Sequence, residues 1–103
     1  MTHYEIKDNK LVCSFPVRMD TNICNKFEDE LFKKIAESML PVVFDLQDVE
    51  YIASMFLRIV QRVYQKIGAK NFYLINVNPN IKKVFKIAGF DMYLNINSGE
   101  IKN

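Results

Sequence analysis

The stretch "VEYIASMFLRIV", residues 49–60, changes its hydrophobic pattern halfway along. Its first half, around Tyr51, has the aromatic and β-branched residues that are typical of a short strand. Its second half places Leu57 and Val60 at the spacing of one helix face, and that spacing continues beyond the quoted stretch. Ser54 stands between the two halves. The stretch therefore predicts a strand that leads directly into a helix, with a serine hydroxyl near the helix start.

The segments before this junction read as a hairpin, a helix and a strand. Two short strands are joined by Asp8-Asn9, and both residues tolerate the positive φ angles of a two-residue turn. Apolar residues at every fourth position predict a helix over residues 21–38. The continuous apolar run "PVVFDL" is typical of a strand that is covered on both faces.

The segments after the junction continue the alternation. The second helix is predicted over residues 54–67, and Gly68 ends it as a C-cap. "NFYLINV" predicts another buried strand, Asn78-Pro79 begins a third helix, and "MYLNI" predicts a last short strand. Ile81, Val84, Phe85 and Ala88 are the expected inner face of the third helix.

The resulting order, β-β-α-β-α-β-α-β, predicts the α/β class. Strands that alternate with helices after a hairpin imply right-handed crossovers and a mainly parallel mixed sheet. A chain of 103 residues lies within the usual size of one domain. We expect a single domain over residues 1–103, with its core at about 4–96 and a polar tail at 97–103.

Composition and charge exclude several classes of function. The net charge is +2 and the basic residues are interleaved with acidic ones, whereas a nucleic-acid binder more often has a basic face. No apolar run approaches the roughly 20 residues of a membrane span, and the N-terminus lacks a signal-peptide pattern. We therefore expect a cytoplasmic protein that binds no nucleic acid. Cys13 and Cys24 are expected to be reduced there, as small core residues.

The sequence also lacks the usual catalytic motifs. The single histidine, His3, lies near the N-terminus, so no His-activated nucleophile is expected. Three glycines cannot build a Walker loop or a dinucleotide fingerprint, and no ligand spacing predicts a metal site. The carboxylates Asp45, Asp48 and Glu50 are more typical of a solvated strand end than of an acid/base pair. We expect a protein that is not an enzyme and binds no cofactor.

Three segments together resemble a known family. "VVFDLQDVEYIASMFLRIV" resembles the central segment of STAS domains, the sulphate-transporter and anti-sigma-factor-antagonist family, in which a V-x-D-L-x-x-V strand leads into Asp-Ser-Ser/Thr-Gly-Leu. "YLINVNPNIKKVFKIAGF" is similar to the family's later strand and helix, and "VRMDTNICNKFEDEL" to its first turn and helix. The resemblance covers roughly residues 10–96 and agrees in element order.

The resemblance implies a small cytoplasmic bacterial regulator of transcription. Family antagonists bind an anti-sigma factor, often a serine kinase of the histidine-kinase-like ATPase type, and so release a sigma factor. The kinase phosphorylates the serine that follows the family's Asp, a position that falls on Ser54. A helix N-terminus accommodates a phosphate, whose added charge disrupts a partner surface. The alternative is a STAS module that binds a small ligand or lipid, or serves a transporter, without a phospho-switch.

The chain departs from the family motif on both sides of the serine. Ala53 stands where the family has Asp, and Met55 and Phe56 replace a small Ser/Thr-Gly pair. Phe56 fits a helical core spacing, but the family pattern gives the buried place to Leu57, which would turn Phe56 outward. Met55 and Phe56 would then form a contact site for a divergent partner. Ser54 itself is open to two interpretations, a helix N-cap or the phosphorylated switch.

Asp20 resembles the Asp that follows the first turn in the family, and we expect it mainly to cap the first helix. The expected partner-binding residues are therefore Asp20, Ala53, Ser54, Met55 and Phe56. We also expect the domain to stop short of the C-terminal helix of longer family members, which would leave an apolar face open to homodimer formation.

Overall fold

The computed structural model describes residues 2–92, 94–97 and 99. Within them, seven strands and three α-helices are formed: β1 (His3–Lys7), β2 (Lys10–Ser14), β3 (Arg18–Met19), α1 (Thr21–Ser38), β4 (Val42–Asp45), β5 (Tyr51–Ile52), α2 (Ser54–Ile67), β6 (Phe72–Ile75), α3 (Pro79–Ile87) and β7 (Asn95–Ile96).

The main sheet has the strand order β1-β2-β4-β6-β7. β1 pairs antiparallel with β2, and every other neighbouring pair is parallel. The predicted α/β fold with a mainly parallel mixed sheet is therefore confirmed. Because β2, β4, β6 and β7 follow one another in the same direction across the sheet, right-handed crossovers place all three helices on one face. The core cluster accordingly contains buried side chains from α1, α2 and α3.

The predicted turn and caps are present. Asp8 and Asn9 have φ angles of 53° and 61°, which the hairpin requires. The Asn78 side chain accepts a hydrogen bond from the Ile81 N–H (2.8 Å), with Pro79 in the first turn of α3. Gly68 is the C-cap of α2, with a φ of 82° that favours glycine, and its N–H donates a hydrogen bond to the Tyr64 carbonyl oxygen (2.8 Å).

A second, two-stranded sheet was not predicted from the sequence. β3 pairs in parallel with β5, with Arg18 opposite Tyr51 and Met19 opposite Ile52. Strands of two residues are too short to show an alternating pattern, so the sequence around β3 indicates only a turn. The pairing matters because each of the two strands leads directly into a helix.

Two expectations near the C-terminus are wrong. In α3 only Ile81 and Phe85 are buried, while Val84 is 37% exposed and Ala88 is exposed, so the inner face is narrower than predicted. The predicted strand "MYLNI" is shorter, because Met92 belongs to a 3₁₀ turn and β7 begins only at Asn95. Tyr93 and most of the predicted polar tail lie outside the described residues.

Candidate functional site

The N-termini of α1 and α2 lie side by side. The Ala53 N–H donates a hydrogen bond to the Met19 carbonyl oxygen (2.9 Å), which extends the β3–β5 pairing by one residue. Asp20 directly follows Met19, and Ser54 directly follows Ala53. The structure therefore brings together three of the predicted site residues, Asp20, Ala53 and Ser54.

The two helix starts are capped differently. Asp20 is the N-cap of α1, as predicted, and its Oδ1 accepts a hydrogen bond from the Ile23 N–H (3.0 Å). The N-cap of α2 is Ala53, which offers no side-chain acceptor. Ser54 is the first helical residue and is exposed. The N-cap interpretation of Ser54 is therefore wrong by one position, because the backbone of Ala53 is still extended.

This difference predicts a gain in stability at position 53. The substitution Ala53→Ser should add a capping hydrogen bond to α2 and raise the free energy of unfolding by about 1 kcal/mol. Ser54→Ala should change it by no more than a few tenths of a kcal/mol, because Ser54 stands inside the helix, one residue beyond the N-cap. Urea unfolding of the two variants measures both effects. A cost of about 1 kcal/mol for Ser54→Ala would show that Ser54 is the cap after all.

Phe56 is a core residue, so its predicted outward orientation is wrong. It is 0% exposed, and its ring lies 5.4 Å from that of Phe15 and 6.0 Å from that of Phe44, measured between centroids. The buried residues of α2 are 56, 59, 60 and 63, which have the spacing of one helix face. Leu57, which the family pattern would bury, is half-buried. Phe56 thus anchors the helix start and offers no surface to a partner.

Met55 and Arg58 are neighbours near the start of α2. Met55 is half-buried and packs against the edge of the core. Its Sδ lies 2.9 Å from Nη2 of Arg58, which is exposed. Met55 therefore stays a candidate for partner contact, while its neighbour Phe56 does not.

Sequence analysis missed an aromatic and basic pair on the two strands that lead into α1 and α2. The Arg18 guanidinium lies 4.5 Å above the centre of the Tyr51 ring, and Tyr51 is 43% exposed. Only the β3–β5 pairing places these side chains together, so no local sequence signal could have found them. We call the surface formed by Val17, Arg18, Tyr51, Ser54 and Met55 the junction surface. Tyrosine, arginine and methionine are residue types that are enriched at protein interfaces.

Of the three carboxylates at and after the end of β4, Asp45 has a structural role. Asp45 Oδ1 accepts hydrogen bonds from the Gln47 N–H (3.1 Å) and from Nδ2 of Asn76 (3.0 Å). Asp48 and Glu50 are exposed. Within the described residues, no group of three His, Cys, Asp or Glu side chains could hold a metal ion.

Comparisons with known proteins agree with this fold. The STAS domain family model matches residues 2–100. An anti-sigma factor antagonist (STAS) domain protein from Planctomyces limnophilus is 20% identical, with a TM-score of 0.84 over 96% of this chain and 91% of that one. An anti-sigma factor antagonist from Mycobacterium paratuberculosis is 25% identical, with a TM-score of 0.83 over 94% and 84%.

A third similar structure is that of the Bacillus cell fate determinant SpoIIAA in its phosphorylated form. It is 14% identical, with a TM-score of 0.71 over 93% of this chain and 90% of that one. No curated protein sequence matches this chain. None of the helices among the described residues has the length and hydropathy that crossing a membrane requires.

Proposed function

This chain belongs to the STAS domain family, and from that premise we propose that it is an anti-sigma factor antagonist-like regulator. It acts without catalysing a reaction, in the bacterial cytoplasm, by binding an anti-sigma factor of the histidine-kinase-like ATPase type through the junction surface. Phosphorylation of Ser54 by that partner switches the binding off.

The observation that carries this proposal is the placement of Ser54. Its side chain is exposed at the first position of α2, and Phe56, two residues later, is fully buried in the aromatic core. A phosphate on this hydroxyl would add a charge of about −1.5 to −2 at the surface while the anchored helix start keeps its conformation. The charge would therefore act on a partner and not on the fold.

The similar structures support the general type of function, that of an anti-sigma factor antagonist. The Planctomyces and Mycobacterium proteins are described as anti-sigma factor antagonists, and SpoIIAA has been solved in a phosphorylated form. Ala53 and Met55, which replace the family's Asp and small residue beside the serine, change the surface that the partner must recognise. We therefore expect a dedicated partner that tolerates a thioether next to the phosphorylated hydroxyl.

The proposal predicts that a negative charge at residue 54 abolishes partner binding. Ser54→Ala and Ser54→Glu proteins are used to recover bound proteins from the native host, and an ATP-binding anti-sigma factor is identified by mass spectrometry. We expect Ser54→Ala to retain it and Ser54→Glu to recover at least about tenfold less, which corresponds to about 1.4 kcal/mol.

Gln61→Glu is the matched control, because it adds one negative charge to an exposed position further along α2. It should bind as well as the unmodified protein. Equal recovery by Ser54→Ala and Ser54→Glu would contradict the proposed switch, and an equal loss with Gln61→Glu would show that charge anywhere on α2 is enough.

A second candidate function is the binding of a small ligand or lipid. A depression of about 460 Å³ lies between the hairpin and α1, with Tyr4, Ile6, Leu11 and Lys34 in its lining. A bound molecule in native mass spectra of the host-purified protein, together with equal partner recovery by the residue-54 variants, would favour this function over the switch.

A further inference from the structure

We propose that Arg58 captures the phosphate group of phosphorylated Ser54. This inference deepens the proposed function and rests on it, because it describes how the same site responds to phosphorylation. It concerns a residue outside the serine motif itself, and it gives the added phosphate a basic partner on α2.

Arg58 lies on the same face of α2 as Ser54. Ser54 and Arg58 are four residues apart in one continuous helix, and both are exposed. Side chains at this spacing are neighbours on a helix surface, with about 5–6 Å between their Cβ atoms. The first turn of α2 contains no acidic residue. A phosphate on Ser54 would therefore be the first anion within the helix that Arg58 can reach.

The present partner of Arg58 is a weak hydrogen-bond acceptor. Within the described residues its guanidinium contacts the Met55 thioether, at 2.9 Å between Nη2 and Sδ, and a thioether is a weak acceptor. The next arginine on the helix is already engaged, because Arg62 pairs with Glu28 and lies over the Phe32 ring. Arg58 thus has the planar fork of donors that suits a phosphate, and in the described part of the chain it holds no anion.

A phosphate is a stronger acceptor for Arg58 than the Met55 thioether is. A hydrogen bond from a guanidinium to a phosphate oxygen is charge-assisted and roughly twice as strong as a neutral one. The guanidinium has five N–H donors, and its contact with the Met55 sulfur uses one nitrogen. Donors therefore remain for the phosphate, which becomes the strongest acceptor of Arg58.

Three other charged groups lie near the start of α2. The Asp20 carboxylate accepts from the Ile23 N–H, and Glu50, which is exposed just before β5, would repel the phosphate. Arg18 on β3 is stacked over Tyr51. All three are unchanged in the variants below, so a difference between those variants reports on residue 58 alone.

The test is the second pKa of the phosphate, measured by ³¹P NMR titration. Phosphoserine is incorporated at position 54 of the full chain by genetic code expansion, in the otherwise native protein and in Arg58→Gln, Arg58→Lys and Lys66→Gln backgrounds. We expect this pKa to lie at least about half a unit lower in the otherwise native protein than in Arg58→Gln, because an adjacent cation favours the dianion. Arg58→Lys should give an intermediate value.

Lys66→Gln is the charge-matched control, since it removes one positive charge from an exposed position three turns along α2. It should leave the phosphate pKa unchanged. Equal pKa values with and without the Arg58→Gln substitution, or an equal shift with Lys66→Gln, would overturn the proposal. The test requires neither kinase nor partner, so a failure of the proposed function, in which Ser54 is never phosphorylated in the host, is distinguishable from a failure of the Arg58 capture.

Discussion

Replacing Phe56 with alanine should lower the free energy of unfolding by about 3–5 kcal/mol, the usual cost of removing a buried phenylalanine. The ring of Phe56 is fully buried and contacts Phe15 edge-on, with the ring planes at 85°. Such aromatic pairs contribute about 0.5–1.5 kcal/mol beyond the area they bury. Since domains of this size are stable by only about 5–15 kcal/mol, the loss would be a large part of the total.

Leu57→Ala is the control that distinguishes the two possible orientations of α2, one with Phe56 buried and the other with Leu57 buried. Leu57 is the residue that the family pattern would bury, yet it is only half-buried here. Its truncation should cost clearly less than that of Phe56, by at least about 1 kcal/mol. Urea unfolding with a common m-value compares the two. A larger cost for Leu57→Ala would mean that α2 is rotated from the orientation described above and that Phe56 is available to a partner.

The two buried cysteines should react slowly while the protein is folded. Burial raises the pKa of the Cys13 thiol to about 12 and that of the Cys24 thiol to about 11. Nearby Lys34 opposes part of the shift at Cys13, and Asp20 and Glu28 add to the shift at Cys24. Because the thiolate is the nucleophile, iodoacetamide at pH 8 should alkylate the folded protein at least about 100-fold more slowly than the protein in urea.

The raised pKa values of the two thiols predict that the free energy of unfolding falls at alkaline pH. In the unfolded chain both thiols ionise near pH 8.5, whereas in the folded chain they keep their protons until well above pH 10. The stabilisation is complete below pH 8 and is lost as pH rises from about 9, by up to about 1.4 kcal/mol per pH unit for each thiol. The double variant Cys13→Ala, Cys24→Ala should show a shallower decline. Rapid alkylation of the thiols in the folded protein would contradict the burial of the two cysteines. An equal decline in stability with pH in the double variant would contradict it as well.

The elements with strong periodicity could be predicted from the sequence. The bounds of α1 and α2, the Asp8-Asn9 turn, and the caps at Asp20, Asn78 and Gly68 all follow from local patterns. The α/β class then follows from the order of the elements, because alternating strands and helices leave few topologies. The STAS resemblance, which the family model confirms over residues 2–100, agrees with that order.

The site could be predicted only in part, because its geometry depends on pairing between distant segments. β3 has only two residues and therefore shows no alternating pattern. The carbonyl oxygen of its Met19 nevertheless accepts a hydrogen bond from the Ala53 N–H. Val60 and Val63 have helical spacing both with Phe56 and with Leu57, so the spacing alone could not decide which of these two residues is buried. Met55 and Arg58 have the i, i+3 spacing of helix neighbours, but that spacing alone does not show whether the two side chains touch.

Whether Ser54 is a regulatory switch on a rigid helix start is decided by its modification state in the native host. The protein is recovered with phosphatase inhibitors, its intact mass is measured, and any phosphate is mapped by fragmentation, with a Ser54→Ala strain as the control. We expect a fraction that carries one phosphate, located on Ser54 and missing from the control strain. A protein that stays unphosphorylated across growth phases, or carries its phosphate at another residue, would contradict the switch.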